Sequence, residues 1–171
     1  SPVELEAAFD EGVQFDGSAI DGFSRVQESD VLARPDANSF QLMPSDDGEI
    51  TARVFCDIVN LDGTPFEGDP RQVLRRNLAT AADAGFEFMC APEVEFFYLE
   101  PGARGTPPQP LDEAGYFDLT ANDSNGDIRR RTIQRLESTG IPVEYSFHED
   151  APSQHEIDLR YTDALTMPDH S

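Results

Sequence analysis

A chain of 171 residues holds one domain or two small ones. Its basic residues are twelve arginines with no lysine, and they face thirty-four acids, leaving a net charge of −22. Such a surface repels phosphate backbones and anionic lipid, which excludes nucleic acid and membrane surfaces as partners.

Taken in chain order, Leu5, Ala8 and Phe9 predict a short amphipathic helix ending near Gly12. Residues 13–36 read as loop-rich, with Gly17, Gly22 and Pro35. Residues 38–43 and 50–59 read as strands, and Asn60-Leu61-Asp62-Gly63 as the turn that follows. Asp69-Pro70 opens a helix, because aspartate caps and proline suits the first helical position. Val73, Leu74, Leu78 and Ala81 give that helix its apolar face, and Gly85 stops it. Residues 86–99 form a strand region, and 101–110 a proline- and glycine-rich loop. A second helix runs from about Asp127 to Thr139, with Ile128, Thr132, Ile133 and Leu136 inward. Arg129-Arg130-Arg131 point in three directions on it and read as a solvated, ion-pairing face. Pro142–His148 is another strand. The order of elements predicts an α+β fold.

The acids are not spread evenly. Pro92-Glu93-Val94-Glu95-Phe96-Phe97 is strand-like, and period-two alternation puts Glu93 and Glu95 on one face, with Val94, Phe96 and Tyr98 on the other. In His148-Glu149-Asp150-Ala151-Pro152-Ser153-Gln154-His155-Glu156-Ile157-Asp158-Leu159-Arg160-Tyr161, the residues Gln154, Glu156, Asp158 and Arg160 share one face. His155, Ile157, Leu159 and Tyr161 share the other. Carboxylates gathered on one face repel each other, and a hard divalent cation with oxygen ligands offsets that cost. There is no G-x-x-x-x-G-K-[ST] and no G-x-G-x-x-G after a strand, so metal–carboxylate cradling is the visible way to handle a phosphate. Cys56 and Cys90 lie in apolar runs and read as reduced, buried thiols. With no C-x-x-C and three histidines, zinc is not expected.

These two stretches resemble the P-E-x-E-F-F and H-E-x-A-P-x-Q-H-E-I-D motifs of glutamine synthetases. Phe15-Asp16-Gly17-Ser18-Ala19-Ile20-Asp21-Gly22-Phe23, followed by Glu28-Ser29-Asp30 and Pro35-Asp36, resembles a loop of the same family. Thr64–Arg71 and Gly115-Tyr116-Phe117-Asp118-Leu119 extend the likeness. Five motifs in family order cover the chain from about residue 2 to about residue 167.

The resemblance implies a small β-grasp-like N-terminal domain over residues 1–67 and the first part of a catalytic domain, built on an antiparallel sheet, over 68–171. It implies a piece of a longer enzyme that is inactive by itself. The implied activity is ATP-dependent ligation of ammonia to the γ-carboxylate of L-glutamate through γ-glutamyl phosphate. The implied cofactor is paired Mg²⁺ or Mn²⁺. The implied assembly is a cytoplasmic homo-oligomeric double ring with active sites between subunits.

By resemblance, Glu93 serves one metal, and Glu95, Glu149 and Glu156 serve the other. Glu144 and Tyr116 lie at the nucleotide, and Asp16 reaches a neighbouring subunit's site to deprotonate ammonium. Each has a plainer reading: the acids as solvated surface, Asp16 as a turn-former before Gly17, Glu144 as a strand residue facing water. His148 and His155 read as structural neighbours rather than ligands. Ala19 stands where the family has serine, and Phe147 where it has a histidine. These departures keep two alternatives open: a γ-glutamylpolyamine or γ-glutamylamide ligase, and a non-catalytic assembly or binding protein on the same scaffold. The missing lysine and the net charge also predict adaptation to concentrated salt.

Overall fold

The computed structural model describes residues 2–20, 30–45, 48, 50–119 and 124–170. Asp21-Gly22-Phe23 and Glu28-Ser29 of the loop motif lie outside the described residues. Two compact units result: Ser1–Met89 with Asp163–Asp169, and Cys90–Thr162 with His170–Ser171.

The first unit opens with helix α1 (Pro2–Glu11). Its main sheet is antiparallel, in the order β1 (Val13–Asp16), β2 (Asp30–Pro35), β5 (Cys56–Asn60). Two of these strands fall where the sequence reads as loop. Val31, 1% exposed, is the deepest aliphatic side chain of this unit, and its alternation with neighbours is masked by the flanking Asp30, Pro35 and Asp36. A second antiparallel pair joins β3 (Gln41–Met43) to β4 (Thr51–Arg53). The expected strand over 38–43 is thus shorter, because Asp36 caps a 3-10 turn over Ala37–Ser39. The expected strand over 50–59 is broken at residues 54–55, where Phe55 N donates to Ser39 Oγ and leaves the ladder.

Helix α2 (Pro70–Asp83) starts and stops as expected. Asp69 Oδ1 accepts from Arg71 N at 3.0 Å, and its Oδ2 accepts from Ile58 N at 2.9 Å. One 4%-exposed aspartate therefore caps the helix and fastens it to β5. Gly85, at φ +83, ends the helix in the left-handed conformation, and Phe86 N returns to Ala81 O at 2.9 Å. Arg71 then binds Asp57 (2.9 Å), Asp36 (2.9 Å) and Asp169 (2.7 Å), and Arg75 shares Asp36 and Asp57. Asp169 belongs to the last helix, α4 (Thr166–His170).

The chain enters the second unit through the short strand β6 (Met89–Cys90). Its sheet is antiparallel, in the order β7 (Glu93–Phe97), β9 (Gln154–Leu159), β8 (Val143–His148). Helix α3 (Ser124–Ser138) packs against it, and strand β10 (Thr162–Asp163) follows β9. The apolar face is as alternation predicts. Val94, Phe96, Ile157 and Leu159 line a cavity with Thr132 and Leu136 of α3. Ile141, Ile157 and Leu159 are almost fully buried. Arg129 departs from the expected solvated face: it is 8% exposed and bonds His155, while Arg130 stays outside and pairs with Asp127. Cys56 and Cys90 are free thiols, half-buried rather than buried. No helix among the described residues is long and apolar enough to cross a membrane.

Candidate metal centre

Strand register assembles the acidic face. Glu95 of β7 lies opposite Glu156 of β9, and Glu156 lies opposite Phe147 of β8. One step along, Glu93 lies opposite Asp158, and Asp158 opposite Tyr145. Residues directly opposite in an antiparallel pair project to the same side. The face is therefore two rows, Glu95–Glu156–Phe147 and Glu93–Asp158–Tyr145. Glu149 joins from the end of β8, where its amide donates to Gln154 O at 2.8 Å.

The electrostatics of this face are unusual for so acidic a chain. Glu156 is 6% exposed. Burial, then the carboxylates of Asp158 and Glu149 that it touches, push its pKa up from 4.5 to about 7. Among the described residues, no arginine or histidine forms an ion pair with Glu93, Glu95, Glu149, Glu156 or Asp158. Besides the contacts among the acids themselves, two neutral groups bond them: Gln154 Nε2 donates to Glu95 Oε2 at 2.5 Å, and Asp150 N donates to Glu149 Oε2 at 3.0 Å. Asp158 Oδ1 is buried with no hydrogen-bond donor. An orphaned carboxylate oxygen beside a proton-sharing glutamate is the donor set a hard divalent cation requires: oxygens only, several of them charged, and no positive side chain in competition. Asp158 shares this face by alternation, two residues beyond Glu156, yet the motif comparison assigns it no role.

The other expected site residues are placed as follows. Glu93 is exposed at the start of β7. Glu144 is the extra residue of a β-bulge: Val143 pairs with Leu159 and Tyr145 with Asp158, leaving Glu144 between them and exposed. Tyr116 packs edge-on against Phe117 (4.4 Å between centroids) and Phe147 (5.9 Å), so it stands over the acidic face. Phe117 stacks on Phe147 at 5.0 Å, holds φ +57, and donates its amide to His148 O at 3.0 Å. Asp16, in the first unit, forms the turn its plainer reading expects. Its Oδ1 accepts from Ser18 N at 2.9 Å and from Ser18 Oγ at 2.6 Å.

His148 and His155 lie opposite each other on the far side of the sheet from the acids, 2% and 0% exposed. Their partners went unnoticed in the sequence. His148 Nε2 is 3.0 Å from Asp112 Oδ1, and His155 Nδ1 is 2.5 Å from Arg129 Nη1. Asp112 lies 36 residues before His148, in a segment without regular structure, and no local pattern links the two.

Comparison with known proteins agrees with this architecture. Residues 1–61 match the model of the glutamine synthetase β-grasp domain, and residues 67–171 that of the glutamine synthetase catalytic domain. Glutamine synthetase of Mycolicibacterium smegmatis is 55% identical over 99% of this chain and 39% of its own length. That of Halobacterium salinarum is 46% identical over 98% of this chain and 37% of its own. Among solved structures, GmaS without ligand has a TM-score of 0.80 at 27% identity, over 96% of this chain and 39% of its own. A Plasmodium falciparum glutamine synthetase shares the fold, with a TM-score of 0.77 at 24% identity over 95% and 37%. The chain thus spans less than half the length of these relatives. Antiparallel sheets in both units carry residues that these family models match, in β-grasp then catalytic-domain sequence, and the chain belongs to the glutamine synthetase family.

Proposed function

We propose that these residues hold the metal and part of the nucleotide of an ATP-dependent carboxylate–amine ligase, and that the activity they serve is glutamine formation from L-glutamate and ammonia. The observation that carries this reading is the convergence of Glu95, Glu149, Glu156 and Asp158 on one sheet face with, among the described residues, no arginine or histidine ion-paired to them. A carboxylate oxygen is a poor leaving group. The γ-carboxylate of glutamate therefore takes the terminal phosphoryl group of ATP, releasing ADP. Ammonia then attacks the acyl carbon of γ-glutamyl phosphate, and phosphate leaves. Glu95, Glu149 and Glu156 would hold Mg²⁺ or Mn²⁺, and the bound ion would supply positive charge to offset the phosphate oxygens.

The chain's own residues have these proposed parts. Glu95, Glu149 and Glu156 are ligands of one ion and Glu93 of a second, with Asp158 completing the oxygen set. Gln154 orients Glu95 through its amide. Tyr116 lies beside the nucleotide. Glu144, turned out of the ladder by its bulge, reaches the nucleotide from the edge of the sheet. Asp16 accepts a proton from ammonium in the site of a neighbouring subunit of a homo-oligomer. Its two bonds from Ser18 support that role by holding the carboxylate in one orientation. The domain division at residue 67 belongs to the same proposal.

One observation favours a second reading. The rings of Tyr116, Phe117 and Phe147 form an aromatic wall beside the acids, and aromatic faces attract organic ammonium groups. An amine larger than ammonia, as for a γ-glutamylamide ligase, fits such a wall.

Manganese titration tests the metal assignment. Glu95→Ala lowers Mn²⁺ affinity several-fold, and an unchanged titration sinks it. A coupled ATPase assay of a full-length enzyme carrying these residues, supplied with glutamate and in turn with ammonia, methylamine or putrescine, separates the two ligase readings. No turnover with any amine leaves a binding or assembly role. The 171-residue chain by itself makes no glutamine. Synthesis above the no-enzyme rate, abolished by Glu95→Ala, would show that it is sufficient.

A further inference from the structure

Behind the acidic face lies a second polar cluster with no assigned role: Asp112, His148 and His155, whose ligand-type atoms all lie within 4.8 Å of one another. By residue type it resembles another metal site. Its hydrogen bonds argue otherwise. Arg129 Nη1 lies 2.5 Å from His155 Nδ1, and an arginine can only donate. His155 Nδ1 therefore accepts, its Nε2 carries the proton, and that N–H faces Asp112 Oδ2 at 3.8 Å. A protonated ring nitrogen cannot ligate a metal. His148 Nδ1 lies 2.7 Å from the Glu149 carbonyl, also an acceptor, and its Nε2 lies 3.0 Å from Asp112 Oδ1.

Asp112 is thus an acceptor at the centre of a buried network. Besides His148, its Oδ1 takes the amides of Ser153 (2.9 Å) and Ala114 (3.0 Å). Its own amide donates to Ser153 Oγ at 2.7 Å. Ser153 is fully buried and sits at φ +60, a conformation that a non-glycine residue keeps only when held. It lies in the turn between β8 and β9, where Gln154 N closes on Ala151 O at 2.9 Å. The residues immediately after the two clamped histidines are Glu149 and Glu156.

We propose that Asp112 is a positioning residue for the metal-binding face. It pins His148 and Ser153 from behind the sheet, while Arg129 holds His155, and so fixes the β8–β9 turn and the separation of Glu149 and Glu156 in front. The inference rests on the metal reading above for its consequence and on the buried network for its geometry. Groups that hold metal ligands in place cost on the order of 10–100-fold in metal affinity when removed.

The test uses the 171-residue chain, with Mn²⁺ alone as probe. Paramagnetic resonance reads metal affinity, and amide hydrogen exchange without metal reads the turn. Asp112→Asn keeps the shape, weakens Mn²⁺ at least about fivefold, and speeds exchange at Glu149, Ser153 and Gln154 while α2 is unaffected. Glu113→Gln, the same loss of charge at the next, exposed residue, changes neither. Ser153→Ala is the milder variant should Asp112→Asn fail to fold, and it shifts both readouts in the same direction by less. Unchanged exchange in Asp112→Asn overturns the proposal, as does faster exchange with unchanged Mn²⁺ affinity. If the unaltered chain binds no Mn²⁺, the metal reading falls, and exchange alone decides whether Asp112 holds the turn.

Discussion

Carboxylates are handled in opposite ways in the two units. Around α2, Asp36, Asp57 and Asp169 converge on Arg71 and Arg75. Burial pushes the Asp36 carboxyl up, but the Asn38 amide and the two guanidiniums outweigh it and hold the pKa below the usual carboxylate range. Burial disfavours the charge on Arg71, and its three aspartates more than restore it. On the β7–β9–β8 face, burial acts on Glu156 with no cation to oppose it, and its neighbours are carboxylates. Around α2 in the first unit, buried carboxylates meet guanidiniums of the same chain. In the second the carboxylates face one another, which is the imbalance that the proposed cation would offset.

The largest way to break the contrast is Arg71→Ala. It takes from Asp169 its guanidinium partner and leaves Asp36 and Asp57 to Arg75 alone, and removing one partner of a buried pair costs about 3–5 kcal/mol. Urea unfolding should lose about that much stability. A loss near zero would mean that the network is surface decoration.

The converse substitution, Glu156→Gln, sharpens the contrast. It should stabilise the metal-free chain at pH 8, because it removes a buried charge crowded by Glu149 and Asp158. It should also weaken Mn²⁺ binding at least about tenfold, since oxygen-ligated sites follow their count of charged ligands. Stability and affinity moving in the same direction would contradict the site.

The two regions also titrate in opposite senses. Glu156, raised from 4.5 to about 7, favours the metal-free fold at low pH, and its contribution is lost as pH rises through that interval. Asp36, lowered, contributes above the ordinary carboxylate range and loses its contribution as pH falls below about 4. Urea midpoints of the metal-free chain should therefore fall between pH 4.5 and 7. Saturating Mn²⁺ should abolish that fall and leave the acid limb.

The smallest expected effect is that of salt. With a net charge of −22, molar KCl screens repulsion over the surface and should raise the melting temperature by several degrees, 1 kcal/mol being worth about 2–4 °C at this size. Arg71→Ala should cost as much in high salt as in low, because its pairs are largely shielded from solvent. A melt indifferent to KCl would count against salt adaptation.

What could be read in advance follows from the range of the interactions. The α2 cap, its glycine stop and the alternation of β7 and β9 are decided by residues within a few positions, and Asp69, Gly85, Glu95 and Glu156 showed them. Strands β1 and β2 were not visible, because each is short and bounded by turn-formers and gains its identity from pairing with another strand. Arg129 looked solvated for the same reason. Its partner, His155, is 26 residues away, and only folding brings a buried acceptor to a residue type that otherwise stays outside. Asp112 carries no local signal at all: among many acids in this chain, it is set apart only by what surrounds it.

The bulge at Glu144 acts as a frameshift in three dimensions. Val143 pairs with Leu159 on the apolar side, whereas Tyr145 and Phe147, at the same parity, pair with Asp158 and Glu156 on the acidic side. One additional residue has reversed the phase of everything after it. Were Glu144 threaded into the ladder as a paired residue instead of bulged out, Glu149 would turn toward the interior while His148 came out among the acids, with no change in the motif itself. The meaning of His148-Glu149 is therefore written four residues upstream of the histidine, in the spacing of a strand rather than in the letters of the motif.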